Sequence, residues 1–365
     1  MIKQLFVRNK FFVHLISFPI VLSLIGLVFI FEASAVRGFS ESGNSFHYLK
    51  LQMIWFVIGI GILIFFSLFD YHRLYYVSFL SMLITIFFLI VVLLPGIGYR
   101  AGGARRWLDF GFFNVQPTEL AKFSVIIYLA SWMIHKERKR FFSFLILVGV
   151  LMGLIILQPD MGTATIVFGI SIIVYFLAGM NVFHFIGLIP VAVGIFFVLV
   201  KLSPYRFNRL LAFFDPTRDP LGITYHINQI LISLSNGGLL GQGFGSSRQK
   251  YLFLHEAHTD SIFAIIGEEF GFIGGILILT LYLIFMFKIF KVVTNAPDRF
   301  SKLLAGGIFA FFNLQILINL AGVVNVLPLT GVPLPFISYG GSNLIISFAL
   351  IGILMSIEKK IKKVV

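Results

Sequence analysis

The stretch Glu256-Ala257-His258-Thr259-Asp260-Ser261 gathers ionisable and hydroxyl side chains at the mouth of a long apolar run. A carboxylate there can act as a general base, provided that it faces the interior of the fold and not lipid. On a helix beginning at Asp260, the small residues Ala264, Gly267, Gly271 and Gly274 fall roughly beneath it. That stripe would let a second helix approach closely under Asp260. Glu268 and Glu269 follow about 12 Å deeper, and adjacent helical positions diverge by about 100°, so one partner is not expected to serve both.

Four further stretches carry candidate chemistry. Gly102-Gly103-Ala104-Arg105-Arg106-Trp107 leads to Gln116-Pro117-Thr118-Glu119-Leu120-Ala121-Lys122. Adjacent guanidiniums suit a diphosphate, although Arg105, Arg106 and Trp107 would equally serve as an interfacial anchor. Pro117 suits a first helical turn. Glu119 and Lys122 then share a face, just below the surface, either as a functional pair or as one that fixes helix packing. In Gln158-Pro159-Asp160-Met161, Asp160 is placed to cap the following helix, and a cap can also face a cavity. Tyr205-Arg206-Phe207-Asn208-Arg209, Tyr225-His226-Ile227-Asn228-Gln229, the glycine-rich run Gly237 to Gly243 and Arg248-Gln249-Lys250 share one long loop. Glycine-rich backbone can approach phosphate, but no Gly-Lys-Ser/Thr follows and this is no Walker loop. Finally, Leu327 to Ser342, with Ser338, is too rich in proline and glycine for a regular span. Such backbone survives at membrane depth only if buried in protein or lining a cavity.

Positioning these groups requires a membrane bundle. Of 365 residues 59% are hydrophobic and 12% charged, against about 25% charged in soluble domains. No cysteine is present, which excludes disulfides, thiolate metal sites and cysteine nucleophiles. The net charge of +13 fits cytoplasmic loops and lipid headgroups better than nucleic acid. The fold class is therefore all-α and polytopic, a single integral-membrane domain over 1–365. Ten segments of sufficient apolar length lie near 13–34, 48–69, 74–95, 117–135, 141–157, 161–179, 182–200, 260–288, 303–325 and 341–357. The first reads as a retained helix rather than a cleaved signal, and 260–288, longer than a bilayer needs, as a tilted or projecting span. Lys136, Arg138, Lys139 and Arg140, with Lys359, Lys360, Lys362 and Lys363, orient both termini to the cytoplasm. Long extracytoplasmic loops then fall near 96–116 and 201–259, and no internal repeat supports an inverted-repeat transporter.

With the stretches around Glu119, Asp160, Asp260 and Ser338 in this order, the chain resembles the SEDS family, the FtsW/RodA-type lipid II polymerases, from Gly103 to Ser342. Arg248-Gln249-Lys250 resembles the FtsW branch more than RodA. His255 stands where the family usually has Pro before the Glu, and Thr118 and Asn343 where Ser is usual. The resemblance implies a peptidoglycan glycosyltransferase of the bacterial plasma membrane, active on the extracytoplasmic face. It would join lipid II to a lipid-linked glycan strand through inverting β-1,4 bonds, releasing undecaprenyl diphosphate. Asp260 matches the family's essential aspartate and is the implied base. Arg105, Arg106, Trp107, Glu119, Lys122, Asp160, Arg206, Arg209, Lys250, Glu256, His258 and Ser338 are the candidate substrate-binding residues. A divalent cation (Mg or Mn) could share the diphosphate charge, with no diagnostic ligand spacing and no organic cofactor. The implied partner is a class B penicillin-binding protein, since no soluble transpeptidase domain lies between the spans. The competing readings are a lipid II flippase, which needs a polar path from side to side, and a non-catalytic scaffold, against which an intact Asp260 speaks.

Overall fold

The computed structural model describes residues 2–101, 104–109, 111, 114–135 and 140–364. Gly102, Gly103, Lys136, Arg138 and Lys139, named above, lie outside the described residues, as do the side chains of Lys3, Arg8, Lys10, Lys362 and Lys363. In chain order the helices are α1 (Ile2–Ser42), α2 (His47–Leu68), α3 (Arg73–Val91), α4 (Pro117–Trp132), α5 (Phe141–Leu157), α6 (Met161–Leu177), α7 (Val182–Lys201), α8 (Pro204–Phe214), α9 (Tyr225–Gly237), α10 (Ile262–Thr294), α11 (Arg299–Val323) and α12 (Gly341–Val364). All but α8 and α9 coincide with the expected spans. Of these, α1, α2, α3, α10 and α11 are individually long and apolar enough to cross a membrane. The chain is a polytopic helical membrane protein.

Local chemistry sets the helix starts. Pro117 opens α4, and the Asp160 side chain accepts the Thr163 N–H at 3.0 Å to cap α6. Asp298 and Ser301 form a reciprocal capping box on α11. The innermost helices are α4, α6, α11 and α12. The α2–α12 contact is close because small residues face it: a Cβ on Gly352 would lie 2.6 Å from the Leu63 carbonyl.

Two features depart from the expected all-helical bundle. The loop after α3 folds into a small antiparallel sheet, β1 (Gly98–Ala101), β2 (Ala104–Asp109) and β3 (Asn114–Val115), with Tyr99 opposite Trp107. Strand pairing satisfies backbone groups that a loop near the apolar phase would otherwise leave bare. The second departure is in α10, which is not one straight span. It breaks at Gly271 (φ 65°, ψ −162°), and the glycine-rich run after α9 lies in the break. Gln242 and Gly243 N–H donate to the Glu268 and Glu269 carbonyls, at 2.9 and 3.0 Å. Phe272 and Ile273 N–H donate to the Gly238 and Leu239 carbonyls, at 2.9 and 3.2 Å. These four bonds re-satisfy the groups that the break frees, as membrane depth demands.

At one end of the bundle Lys360 pairs with Asp70 at 2.8 Å, in the α2–α3 turn, and Tyr71 donates to Asp298, in the α10–α11 turn, at 2.5 Å. At the other, Arg37 near the end of α1 reaches Glu256 at 3.2 Å. The C-terminal end of α12 and the loop before α10 therefore lie at opposite ends.

Candidate active site

Asp260 lies two residues before α10, half-buried. Its Oδ1 accepts from the hydroxyls of Thr259 (3.3 Å) and Ser261 (3.4 Å). Ser261 Oγ is also 2.9 Å from His226 Nε2 on α9, so one hydroxyl links imidazole and carboxylate. On the other side a Cβ on Gly331 would lie 3.7 Å from Asp260 Oδ2. Burial raises the Asp260 carboxyl above its ordinary range; the charges of His226 and Arg209 pull it back and Glu256 pushes it up. Burial lowers His226, against the pull of Asp260. Arg209 of α8 lies against the Tyr205 ring, 4.6 Å from its centroid, and donates to the Leu329 carbonyl at 3.0 Å. It is the cation whose charge reaches Asp260.

The small-residue stripe works differently from the expectation. What approaches is α9 and the glycine-rich run, not a second span: a Cβ on Gly237 would lie 1.9 Å from the Gly267 carbonyl, and Gly271 abuts Gly241 and Leu239. Gly274 meets only Phe270 of its own helix. Glu268 and Glu269 share a partner after all, because the returning loop passes both: the Ser247 hydroxyl donates to Glu268 and its N–H to Glu269 at 3.4 Å.

Glu119 and Lys122 form a buried ion pair at 2.6 Å, with 3% and 1% of their surface exposed. Asn343 donates to Glu119 at 3.0 Å, and Lys122 also donates to Gln315 Oε1 at 3.4 Å. Gln315 in turn donates to the Pro333 carbonyl at 3.0 Å. One turn further along α11, the Asn319 amide donates to the carbonyls of Asp260 and Val332, both at 2.8 Å. Gln315 and Asn319 thus connect the ion pair and the Asp260 main chain to the same irregular segment. Asp160 accepts from Gln116 and Thr118 of the α4 start, both at 3.3 Å, as well as capping α6.

The other candidates have structural partners. Arg106 donates to the carbonyls of Gln158 (3.0 Å) and Pro159, while Arg105 and Trp107 are half-buried on β2. Arg206 donates to the carbonyls of Leu199 and Ile156. Lys250 bonds Glu32 of α1 at 2.6 Å and the Gly245 carbonyl at 2.7 Å, with Glu269 at 3.5 Å. Burial alone would lower its ammonium, but these carboxylates raise it. Glu256 takes a left-handed backbone (φ 52°), a strained conformation for a non-glycine residue, and accepts from Arg37 and Thr259. His258 is buried between the Tyr48 and Tyr339 rings, at 4.5 and 5.4 Å, and burial lowers it to about 4. Ser338 Oγ accepts the Leu334 N–H at 2.8 Å, closing a turn. Among the described residues no three His, Asp or Glu side chains converge as a metal ligand set.

Sequence reasoning missed His226 as a site residue, and Gln315 and Asn319 altogether. The signal for the amides was present: Gln315 and Asn319, four residues apart in a largely apolar span, share one face and need buried partners.

The fold recurs in known proteins. The chain is 37% identical over 351 residues to stage V sporulation protein E of Bacillus subtilis, covering 94% of this chain and 96% of that protein. It is 35% identical over 349 residues to a probable peptidoglycan glycosyltransferase FtsW of Geobacter metallireducens, covering 94% and 93%. A chain from a structure described as structural coordination of polymerization and crosslinking by a peptidoglycan synthase complex superposes with a TM-score of 0.79 at 26% identity, over 95% of this chain and 97% of that one. The rod shape determining protein RodA of Thermus thermophilus shares the fold at a TM-score of 0.71 and 24% identity, covering 95% and 96%. Residues 13–363 match the family model described as cell cycle protein, which joins FtsW, RodA and SpoVE, and the chain belongs to that family.

Proposed function

We infer that the chain is a peptidoglycan glycosyltransferase that polymerises lipid II, with Asp260 as its general base. The observation that carries the assignment is the Asp260 environment: a half-buried carboxylate, raised above its ordinary range, walled by Gly331 and within the field of Arg209. A raised carboxyl is a stronger base than an ordinary one, and a base titrating nearer the working pH transfers protons more effectively. The 4-hydroxyl of the acceptor GlcNAc attacks C1 of the donor sugar. The C1–O bond to the diphosphate breaks, the electron pair leaves with the diphosphate, and the hydroxyl proton passes to Asp260. Attack opposite the leaving group inverts an α-linked diphosphate to a β-1,4 bond. Arg209 is the cation best placed for the departing charge, and Arg105, half-buried on β2, is a second candidate. Arg106, Arg206 and Lys250 would reach substrate only by exchanging their present carbonyl and carboxylate partners. Glu119, Lys122, Asp160, Glu256, His258 and Ser338 shape the walls. Trp107 stays a candidate for the sugar-facing rim. A divalent cation (Mg or Mn) there would draw its ligands chiefly from diphosphate and water, since no protein ligand set converges among the described residues.

The active face is extracytoplasmic and the termini cytoplasmic, in the bacterial plasma membrane, with a class B penicillin-binding protein as crosslinking partner. The flippase reading is disfavoured by the interior beneath Lys122, where the ammonium meets the Phe311 ring at 5.3 Å and Phe311, Phe312 and Phe336 pack together. The test is polymerisation of lipid II by the purified chain, with glycan length read on a gel. Folded Asp260→Asn is expected to be about 10²–10⁴-fold slower, and wild-type rates in that variant would reject the base assignment.

A further inference from the structure

The span α11 is apolar except for a few interior groups, and two of these are amides one turn apart. Gln315 is fully buried and Asn319 is 4% exposed. Both aim at the segment 328–340, which has no regular backbone bonding of its own. Asn319 Nδ2 sits between two carbonyls, Asp260 and Val332, at 2.8 Å each. Two acceptors on that side fix the orientation of the amide, since a flipped group would set oxygen against oxygen. Its Oδ1 is buried without a hydrogen-bond partner, a cost to stability that an apolar side chain of the same size would not carry. Retaining an amide at that cost points to something the donor does that packing alone does not.

We propose that Asn319 is a positioning residue for Asp260: its amide clamps the Asp260 and Val332 carbonyls together and so holds the carboxylate against Gly331. The clamp acts on main chain and touches neither carboxylate oxygen. It joins the last residues before α10 to the turn that walls the base, and Gln315 anchors the next carbonyl of that turn, Pro333, from the same helix face. Asp260 has a glycine on one side and flexible hydroxyls on the other, so its main chain decides where the carboxylate stands. Displacing a catalytic group by about 1 Å can cost about 10²-fold in rate.

The inference rests on Asp260 being the base, and the test separates the two. Asn319→Leu keeps size and removes the donor. Measured on the full chain with lipid II, it is expected to lower kcat by about 10–100-fold with KM unchanged. The acidic limb of the kcat/KM profile should also move to lower pH, because a carboxylate released from burial returns toward its ordinary range. The groups facing Asp260, namely His226, Arg209 and Glu256, are unaltered, so they do not confound that shift. In an Asp260→Asn background Asn319→Leu should add little further loss, since the two act through one group. Wild-type kcat with an unmoved limb, or full additivity with Asp260→Asn, would overturn the proposal. Asn319→Asp, nearly isosteric and lacking the amide donor, gives a second reading if the Leu variant misfolds. Failure of both to fold would assign Asn319 to structure alone and also overturn it. Wild-type rates in Asp260→Asn itself would instead reject the base, whatever Asn319 does.

Discussion

Replacing Lys122 by Met tests the buried pair under the irregular segment. The substitution keeps the aliphatic stem and removes the ammonium, leaving Glu119 3% exposed with Asn343 as its remaining close donor. Breaking a buried pair from one side typically costs about 3–5 kcal/mol. A lone buried carboxylate can instead take up a proton, and protonating an ordinary glutamate at pH 7 costs about 3.7 kcal/mol, inside the same range. The deficit should then shrink by about 1.4 kcal/mol for each unit the pH is lowered. Adding Glu119→Gln removes the orphaned charge and should restore most of the stability. The assay is denaturant or thermal unfolding in detergent across pH, with polymerisation measured on the folded fraction. Activity per folded molecule should also fall, because the Gln315 contact that links Lys122 to Pro333 is lost. A Lys122→Met protein with wild-type stability and wild-type polymerisation would refute the reasoning. So would a deficit independent of pH that Glu119→Gln fails to relieve.

Three further outcomes are expected. A cysteine introduced in the 201–259 loop should react with a membrane-impermeant thiol reagent on intact cells, and labelling only after lysis would contradict the proposed orientation. Gly237→Ala should disrupt the protein, since its Cβ would lie 1.9 Å from the Gly267 carbonyl, whereas Gly61→Ala, with open space around it, should be neutral or slightly stabilising; equal expression and activity for both would sink the close-approach argument. Burial raises the Asp260 carboxyl, so polymerisation should fade as pH drops through a value above the ordinary aspartate range. By the same sign, the stability contribution of Asp260 is complete below its unfolded pKa of about 3.9 and lost as pH rises through the raised folded value; Asp260→Asn should therefore unfold later than wild type near pH 7, and an unfolding midpoint unchanged or lowered across pH would argue against a buried ionised carboxylate.

The helical segments were legible because hydropathy over about 20 residues is a strong signal: a helix lies over each of the ten expected segments, and five of these are individually long and apolar enough to cross a membrane. The break in α10 was not, because Gly271 sits inside a long continuous helical pattern, and only the returning Gly237–Gly243 run reveals why it is tolerated. Both features were visible separately: the glycine-rich run was noted as backbone able to approach something closely, but the something is α10 rather than phosphate. Asp160 illustrates the opposite case. A capping role follows from local sequence alone, and the cap is present with Gln116 and Thr118 added across the bundle. Lys250 shows where charge counting misleads. As one of many loop cations it resembled a phosphate ligand, yet Glu32, more than 200 residues away in α1, claims it, and no local pattern announces that pairing.

The way Asp260 is held fits the role of base proposed for it. A cation bonded to the carboxylate would fix its position firmly, but it would also stabilise the ionised form and weaken it as a proton acceptor. The bundle holds the residue through neutral groups instead. Asn319 takes its carbonyl, Gly331 limits one side by backbone bulk, and Ser261 and Thr259 offer hydroxyls that can rotate as the proton arrives. The formal charges nearby are kept one step removed: the guanidinium of Arg209 is tied to the Leu329 carbonyl, and Lys122 is neutralised by Glu119. Such an arrangement separates two requirements that conflict in a single site. On the proposed mechanism the diphosphate needs positive charge as it departs, and the base works better when that charge is not bonded to it. On that proposal Arg209, on α8 and bonded to the Leu329 carbonyl, stays close enough for its charge to reach the site without bonding the Asp260 carboxylate, so the departing diphosphate can be met by a cation that does not hold the base.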